Sequence, residues 1–302
     1  MTAQTALTTE RQLDAGSVRR NGTARAYRSV AEVDGEPHSI RSELAAHTAI
    51  GDIKTSGRAI ACFAQITDLH MTDVDSPARF EFINREYADA RFREMLPMFR
   101  AQEALNAHAI DAMVRTINAI TVGPLTRRPL ELVVMTGDAV DNVQGNELAA
   151  VLAILDGGLV QPNSGGRAYE GVQSTSWPND FFWKPDGAPD EDMYQRELGF
   201  PQMPGLLERA LHPFQAEGLS LPWIGCHGNH EEVCQGVGIV NRMLAGAYVG
   251  PRKPLRIPEG IELKNNVAKS GQRPEVFISG QCKAVTAGRP GIRVALRHFS
   301  RA

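Results

Sequence analysis

Long apolar runs, paired cysteines and an excess of one charge sign are all missing from this chain, and each absence removes a class of protein. No stretch reaches the ~20 apolar residues that a membrane-spanning helix needs, so no membrane is expected as a partner. The four cysteines, Cys62, Cys226, Cys234 and Cys282, are scattered without a C-x-x-C pair. That argues against a zinc ribbon and against a disulfide framework. Cys62 and Cys226 lie inside apolar runs and read as buried free thiols, which suits a reducing cytoplasm. The N-terminal "MTAQTALTTERQLDAGSVRRNGTARAY" has no apolar core of signal-peptide length, and its Arg19-Arg20 pair lacks the continuation of a twin-arginine signal. A soluble, cytoplasmic protein is the expectation. Net charge is −3 with 22% charged residues, and no basic stripe marks nucleic acid as a partner. A small phosphate ester stays open, because its site need only be locally positive.

Residues 1–57 are polar and carry no clear period, and they read as a loosely ordered lead segment. Residues 58–302 read as one α/β domain. Three similar runs organise it: "RAIACFAQITDLH" (58–70), "PLELVVMTGDAVD" (129–141) and "LPWIGCHGNHEE" (221–232). Each is a short apolar run that stops at a polar loop, the pattern of a strand in a sheet covered on both faces. Helical periods lie between them. Leu105, Ala109, Ala112, Met113, Ile117 and Ile120 repeat at helical spacing over 101–120. Leu148, Val151, Leu152 and Leu155 do so after Asn146, the expected N-cap, with Gly157 as the stop. Strand, helix, strand, helix is an α/β signature. Residues 157–204 break the rhythm with two of the three tryptophans, and read as an insertion that forms a lid or substrate wall.

The loops carry the chemistry. Asp68 and His70 are two apart, so at a strand end they converge, and a carboxylate with an imidazole suits a divalent metal. Alone, the pair is equally an ordinary loop start. Asp138 alone reads as a turn or cap, and Gly228-Asn229 alone as a turn. His108 reads as structural, His212 as a helix-end residue, and His227 as a packed or loop histidine. Arg79, Arg100 and Lys184 are candidates to meet a phosphate, with solvated surface charge as the first reading of each.

Taken in order, D-x-H at 68–70, G-D-x-x-D at 137–141 and G-N-H-E at 228–231 resemble the calcineurin-like metallophosphoesterases over roughly residues 60–235. The insertion and the "SPARFEF" stretch are similar to a bacterial branch of that superfamily. The resemblance implies a two-sheet sandwich flanked by helices, and hydrolysis of a phosphate ester by a hydroxide bound between two divalent ions, Mn, Fe or Zn. It implies Asp68 and His70 on the first metal, Asp138 bridging, and Asn229 on the second. It makes His230 a non-ligating acid and gives Asp141 the role of orienting His230 or a neighbouring ligand. The pattern departs from the family downstream. After Glu231 the chain holds one histidine, His298, no G-H-x-H, and one good strand candidate, "PEVFIS" (274–279), before an atypical Arg-rich tail at 285–302. A chain incomplete at its C-terminus is therefore expected. Two functions stay open: a metal-dependent phosphoesterase, acting on a monoester, diester, nucleotide or phospholipid headgroup, and a non-catalytic metal- or phosphate-binding remnant of one.

Overall fold

The computed structural model describes residues 7–20, 26–37, 58–77, 79–166, 168–232, 234–236, 250–262, 277 and 279–285. These form a mixed α/β structure with several small sheets and few helices. Its centre is a parallel three-stranded sheet of β3 (Phe63–Ile66), β4 (Leu132–Met135) and β7 (Trp223–Gly225), in the order β3-β4-β7. Each strand is the apolar run of one of the three motif segments, so parallel pairing delivers all three motif loops to the same sheet edge.

Two helices cover one face of this sheet. Ala64, Ile66, Val133, Met135 and Trp223 alternate onto that face and pack with Ile110, Val114 and Ile117 of α1 (Asn106–Ala119) and Val151, Ile154 and Leu155 of α2 (Gly145–Asp156). A Cβ on Gly225 would lie 2.7 Å from the Met135 methyl group, so a larger residue there would turn that side chain aside. Among the described residues the opposite face is only partly covered, where the apolar runs suggested burial. Phe63 is 59% and Ile224 55% exposed. These strands are only three to four residues long, and alternation, not continuous burial, sets which side chains are sealed.

The helices form where their periods lie, with shifted faces. In α1 the buried stripe is Ala107, Ile110, Val114 and Ile117; Leu105, Ala109 and Ala112 are exposed. The N-cap of α2 is Gln144 rather than Asn146. Gln144 and Glu147 form a reciprocal capping box, while Asn146 donates to Asp73 at 2.9 Å. Gly157, at φ 83°, ends the helix as expected.

The lead segment contains an antiparallel hairpin, β1 (Arg11–Arg19) with β2 (Tyr27–Asp34), whose Leu13, Val18 and Val30 are exposed. It escaped sequence reading because an exposed hairpin needs no apolar face. Residues 157–204 carry β5 (Gly158–Val160), which pairs antiparallel with β6 (Phe214–Ala216), and α3 (Met193–Leu198). They also hold an aromatic core in which Val172, Trp177, Phe182 and Trp183 pack against Phe99. A further short helix, α4 (Leu206–Leu211), ends at His212. Strands β8 (Arg252–Pro254) and β9 (Cys282–Ala284) form a last antiparallel pair. Of the strand candidate 274–279 only Phe277 and Ser279 are described, with Phe277 buried against Phe80 and Phe82. The tail beyond Val285, with His298, lies outside the described residues. None of the four cysteines is in a disulfide, but the buried one is Cys234; Cys62 is half-buried and Cys226, just past β7, is exposed. Among the described residues no helix is long and apolar enough to cross a membrane.

Candidate metal centre

Beyond β3 and β4 the chain keeps its parallel pairing through the motif loops. Asp68 N–H donates to Gly137 O at 3.2 Å, His70 N–H to Asp138 O at 3.0 Å, and Met71 N–H to Ala139 O at 3.0 Å. The third loop crosses behind them. His230 N–H donates to the Asp138 carboxylate at 2.8 Å. Gly137 and Gly228 make this approach possible. A Cβ on Gly137 would lie 2.9 Å from Gly228 Cα, and one on Gly228 would overlap Asp138.

Three of the predicted site residues have left-handed backbone: Asp68 at φ 54°, His70 at 46° and Asp138 at 53°. Non-glycine residues there cost roughly 1–3 kcal/mol each, so surrounding contacts must hold them. Glu231 supplies the main hold. Its buried carboxylate accepts from Asp138 N (3.0 Å), Ala139 N (2.6 Å), Val140 N (3.3 Å) and Gly228 N (2.5 Å), fastening the second loop to the third. Glu147 does the same between the first and second loops, accepting from Asp73 N and Asn142 N, each at 3.0 Å. Successive amides turned onto the Glu231 carboxylate are the anion-binding nest of a tight loop, filled here by the chain's own side chain. Neither glutamate drew attention in the sequence. The only signal for Glu231 was its place as fourth letter of G-N-H-E.

His70, Asp138 and His230 each offer a ligand atom, and these atoms lie within 4.8 Å of one another. Asp68 joins from the solvent side, its Oδ1 3.5 Å from His70 Nε2. The Thr67 hydroxyl, donating at 2.6 Å, lowers the Asp68 pKa from its ordinary value. Asn229 is exposed, with its side-chain nitrogen beside Gly236. His227 is exposed too.

Asp141 lies beneath the cluster with no exposed side-chain surface. Its Oδ1 sits 3.4 Å from His70 Nδ1 and 3.3 Å from His230 Nδ1, and the two rings meet edge-on at 4.2 Å. These three buried atoms complete no hydrogen bond in the protein. One carboxylate oxygen facing two Nδ1 atoms favours a proton on each Nδ1, which leaves each Nε2 lone pair free for a metal. Asp141 holds the His70 pKa above its ordinary value, against the opposing effect of burial. Burial pushes Asp141 up, but His230, His70 and Arg79 outweigh it and hold it well below the carboxylate range.

Arg79 is the largest departure from sequence reading. It is 3% exposed, not solvated, and its guanidinium reaches Asp141 (2.8 Å), Glu103 (2.6 Å) and the Met98 carbonyl (3.1 Å). Lys253 is likewise sealed, on Glu81 (2.9 Å) and the Ser76 carbonyl (2.8 Å). Lys184 is buried on Glu191 and the Trp177 carbonyl, each at 3.2 Å. Arg100 is partly exposed. His108, stacked on Phe214 and 3.1 Å from the Ala210 carbonyl, is structural.

No protein-family model, no curated protein and no solved structure matches the chain.

Proposed function

We propose that the chain hydrolyses a phosphate ester with the help of divalent metal held at the cluster, as the resemblance to calcineurin-like metallophosphoesterases implies. One observation carries this reading. Three loops far apart in sequence end three parallel strands and place His70, Asp138 and His230 around one point, with one buried carboxylate behind both imidazoles. Strand C-termini are where open α/β sheets put their ligands.

The donor set fits a divalent ion. Two imidazole nitrogens and a carboxylate oxygen are borderline-to-hard donors suited to zinc, manganese or iron, and Asp68 stands next to them as a further oxygen. His230 is assigned here to the donor set, because its Nδ1 shares Asp141 with His70. Two ions, with Asp138 bridging and Asn229 on the second, belong to this proposal, as does a second sheet over the open face of β3-β4-β7. Divalent metal supplies Lewis acidity toward the phosphoryl oxygens and makes water a better nucleophile at neutral pH. The chain's own residues do the rest. Asp141 fixes both rings, Glu231 holds Asp138 in its strained position, and Arg79 keeps Asp141 charged. The free thiols agree with a reducing, cytoplasmic location.

Hydrolysis of p-nitrophenyl phosphate by the purified chain with Mn²⁺ or Zn²⁺, alongside metal content, tests the reading. Turnover that is lost in Asp138→Asn supports it. The exposure of Asn229 favours the second reading, a binding remnant, which predicts one weakly held ion and no turnover.

A further inference from the structure

A cleft between the insertion and α4 shares no lining residue with the metal cluster. Its volume is about 810 Å³, within the range of about 300–1,000 Å³ of small-molecule sites. Part of its polar lining is held rigidly from behind. Asn163 is 7% exposed, and its amide NH₂ donates to the Asp75 carboxylate at 2.5 Å, which fixes the amide and leaves Oδ1 for the cleft. Among the described residues that Oδ1 takes no donor. Asp75 is in turn held by the Glu170 amide at 3.0 Å. The next residue, Ser164, is fastened by its backbone N–H to Asp73 at 3.1 Å, so its hydroxyl is left over. Gln161 and Thr175 are exposed, and their side chains add an amide and a hydroxyl with no partner among the described residues.

The rest of the lining narrows the ligand. Leu207 and Leu211, one turn apart on α4, make an apolar strip with Pro213, and Asp186 and Glu208 bring two carboxylates. No lysine or arginine lines the cleft among the described residues. Asp75 and Asp73 stand directly behind Asn163 and Ser164, so an anion meets like charge there. An ammonium group answers the carboxylates but only donates, and it leaves the donors of Gln161, Ser164 and Thr175 unused. A hydroxyl both donates and accepts, which suits amides, hydroxyls and carboxylates alike. We propose that this cleft binds an uncharged polyhydroxylated small molecule, a sugar or sugar alcohol. Its hydroxyls meet Gln161, Asn163 and Thr175, and its C–H face lies on the strip of Leu207 and Leu211. The site is separate from the proposed phosphoesterase centre and does not depend on it.

Calorimetric titration of the full chain with glucose, galactose, mannose, N-acetylglucosamine, sorbitol and inositol tests this. Spermidine is the cationic counter-probe. Inorganic phosphate is the anionic one, needed because Arg167, between two lining residues, lies outside the described residues. At least one of the sugars or sugar alcohols should bind saturably, with the same affinity after EDTA treatment. Gln161→Ala should weaken that binding about 3- to 10-fold, the loss of one or two neutral hydrogen bonds. Thr175→Trp, at an exposed position, should abolish it by filling the cleft while the melting temperature stays near the parent's. No saturable binding by any of the six, or binding of phosphate or spermidine alone, overturns the inference. Sugar binding unchanged in either folded variant overturns it as well. Sugar affinity lost with EDTA places the ligand at the metal cluster and also overturns it, whereas failure of the phosphoesterase reading leaves it standing.

Discussion

Replacing Asp141 by asparagine tests the buried half of the site. The substitution keeps shape and removes one charge. In the parent, Asp141 takes Arg79 at 2.8 Å and Gln235 at 2.7 Å, and faces both imidazoles. Removing one partner of a buried ion pair costs about 3–5 kcal/mol. Arg79 keeps Glu103 at 2.6 Å and Glu81 at 3.3 Å, so the lower end applies, about 3 kcal/mol, or roughly 6–12 °C of melting temperature for a domain of this size. The sign with pH follows from the depressed pKa of Asp141. Its contribution is full above the unfolded value of 3.8 and is lost as pH falls through the lower folded value, so the deficit appears at pH 7 and closes in strong acid. Metal affinity should fall about 10- to 100-fold, the usual effect of losing a group that orients ligands. The pKa of His70 should fall, since Asp141 is what raises it. Calorimetry of the metal-free protein, zinc titration and histidine NMR titration read the three effects. Unchanged zinc affinity together with an unchanged His70 titration would refute the role given to Asp141.

Glu231→Gln places an amide NH₂ among four backbone donors, and should lower stability by about 1–3 kcal/mol, seen as a drop of several degrees in thermal melting. His230→Ala should lose bound zinc along with activity if the ring is a ligand; retained metal with turnover slowed about 10²–10⁴-fold would show it to be the general acid instead. The fold should be more stable at pH 5.5 than at pH 8.5. Burial raises Asp75 to about 6, Glu103 to about 7 and Glu147 to about 8, so the folded state holds protons that the unfolded chain releases near 4, and stability falls as pH rises through that window. Equal melting temperatures at the two pH values would contradict these buried carboxyl environments.

What the sequence revealed and what it hid follow from one distinction. The β3, β4 and β7 segments were legible because a run such as "LVVM" ending in Gly-Asp is both a strand and a loop start, and each motif loop lies within a few residues of its strand. Left-handed backbone at Asp68, His70 and Asp138 was not legible, since nothing about Asp or His demands it; Glu231 holds Asp138 through its amide, and the pairing of Asp68 and His70 with Gly137 and Asp138 holds the other two. Buried charge was the larger blind spot. Arg79 and Lys184 look like surface residues by type, and only their partners, Asp141 with Glu103 for one and Glu191 for the other, make burial tolerable. The buried face of α1 also carries a charge that its type did not announce, Asp111, paired with the exposed Arg115 at 2.9 Å.

Crystals of the chain grown with zinc, measured at the zinc absorption edge, put the central claim to its most direct trial. The anomalous signal should fall between His70, Asp138 and His230, with both Nδ1 atoms still turned to Asp141. Zinc bound elsewhere on the molecule while that cluster holds none would contradict it.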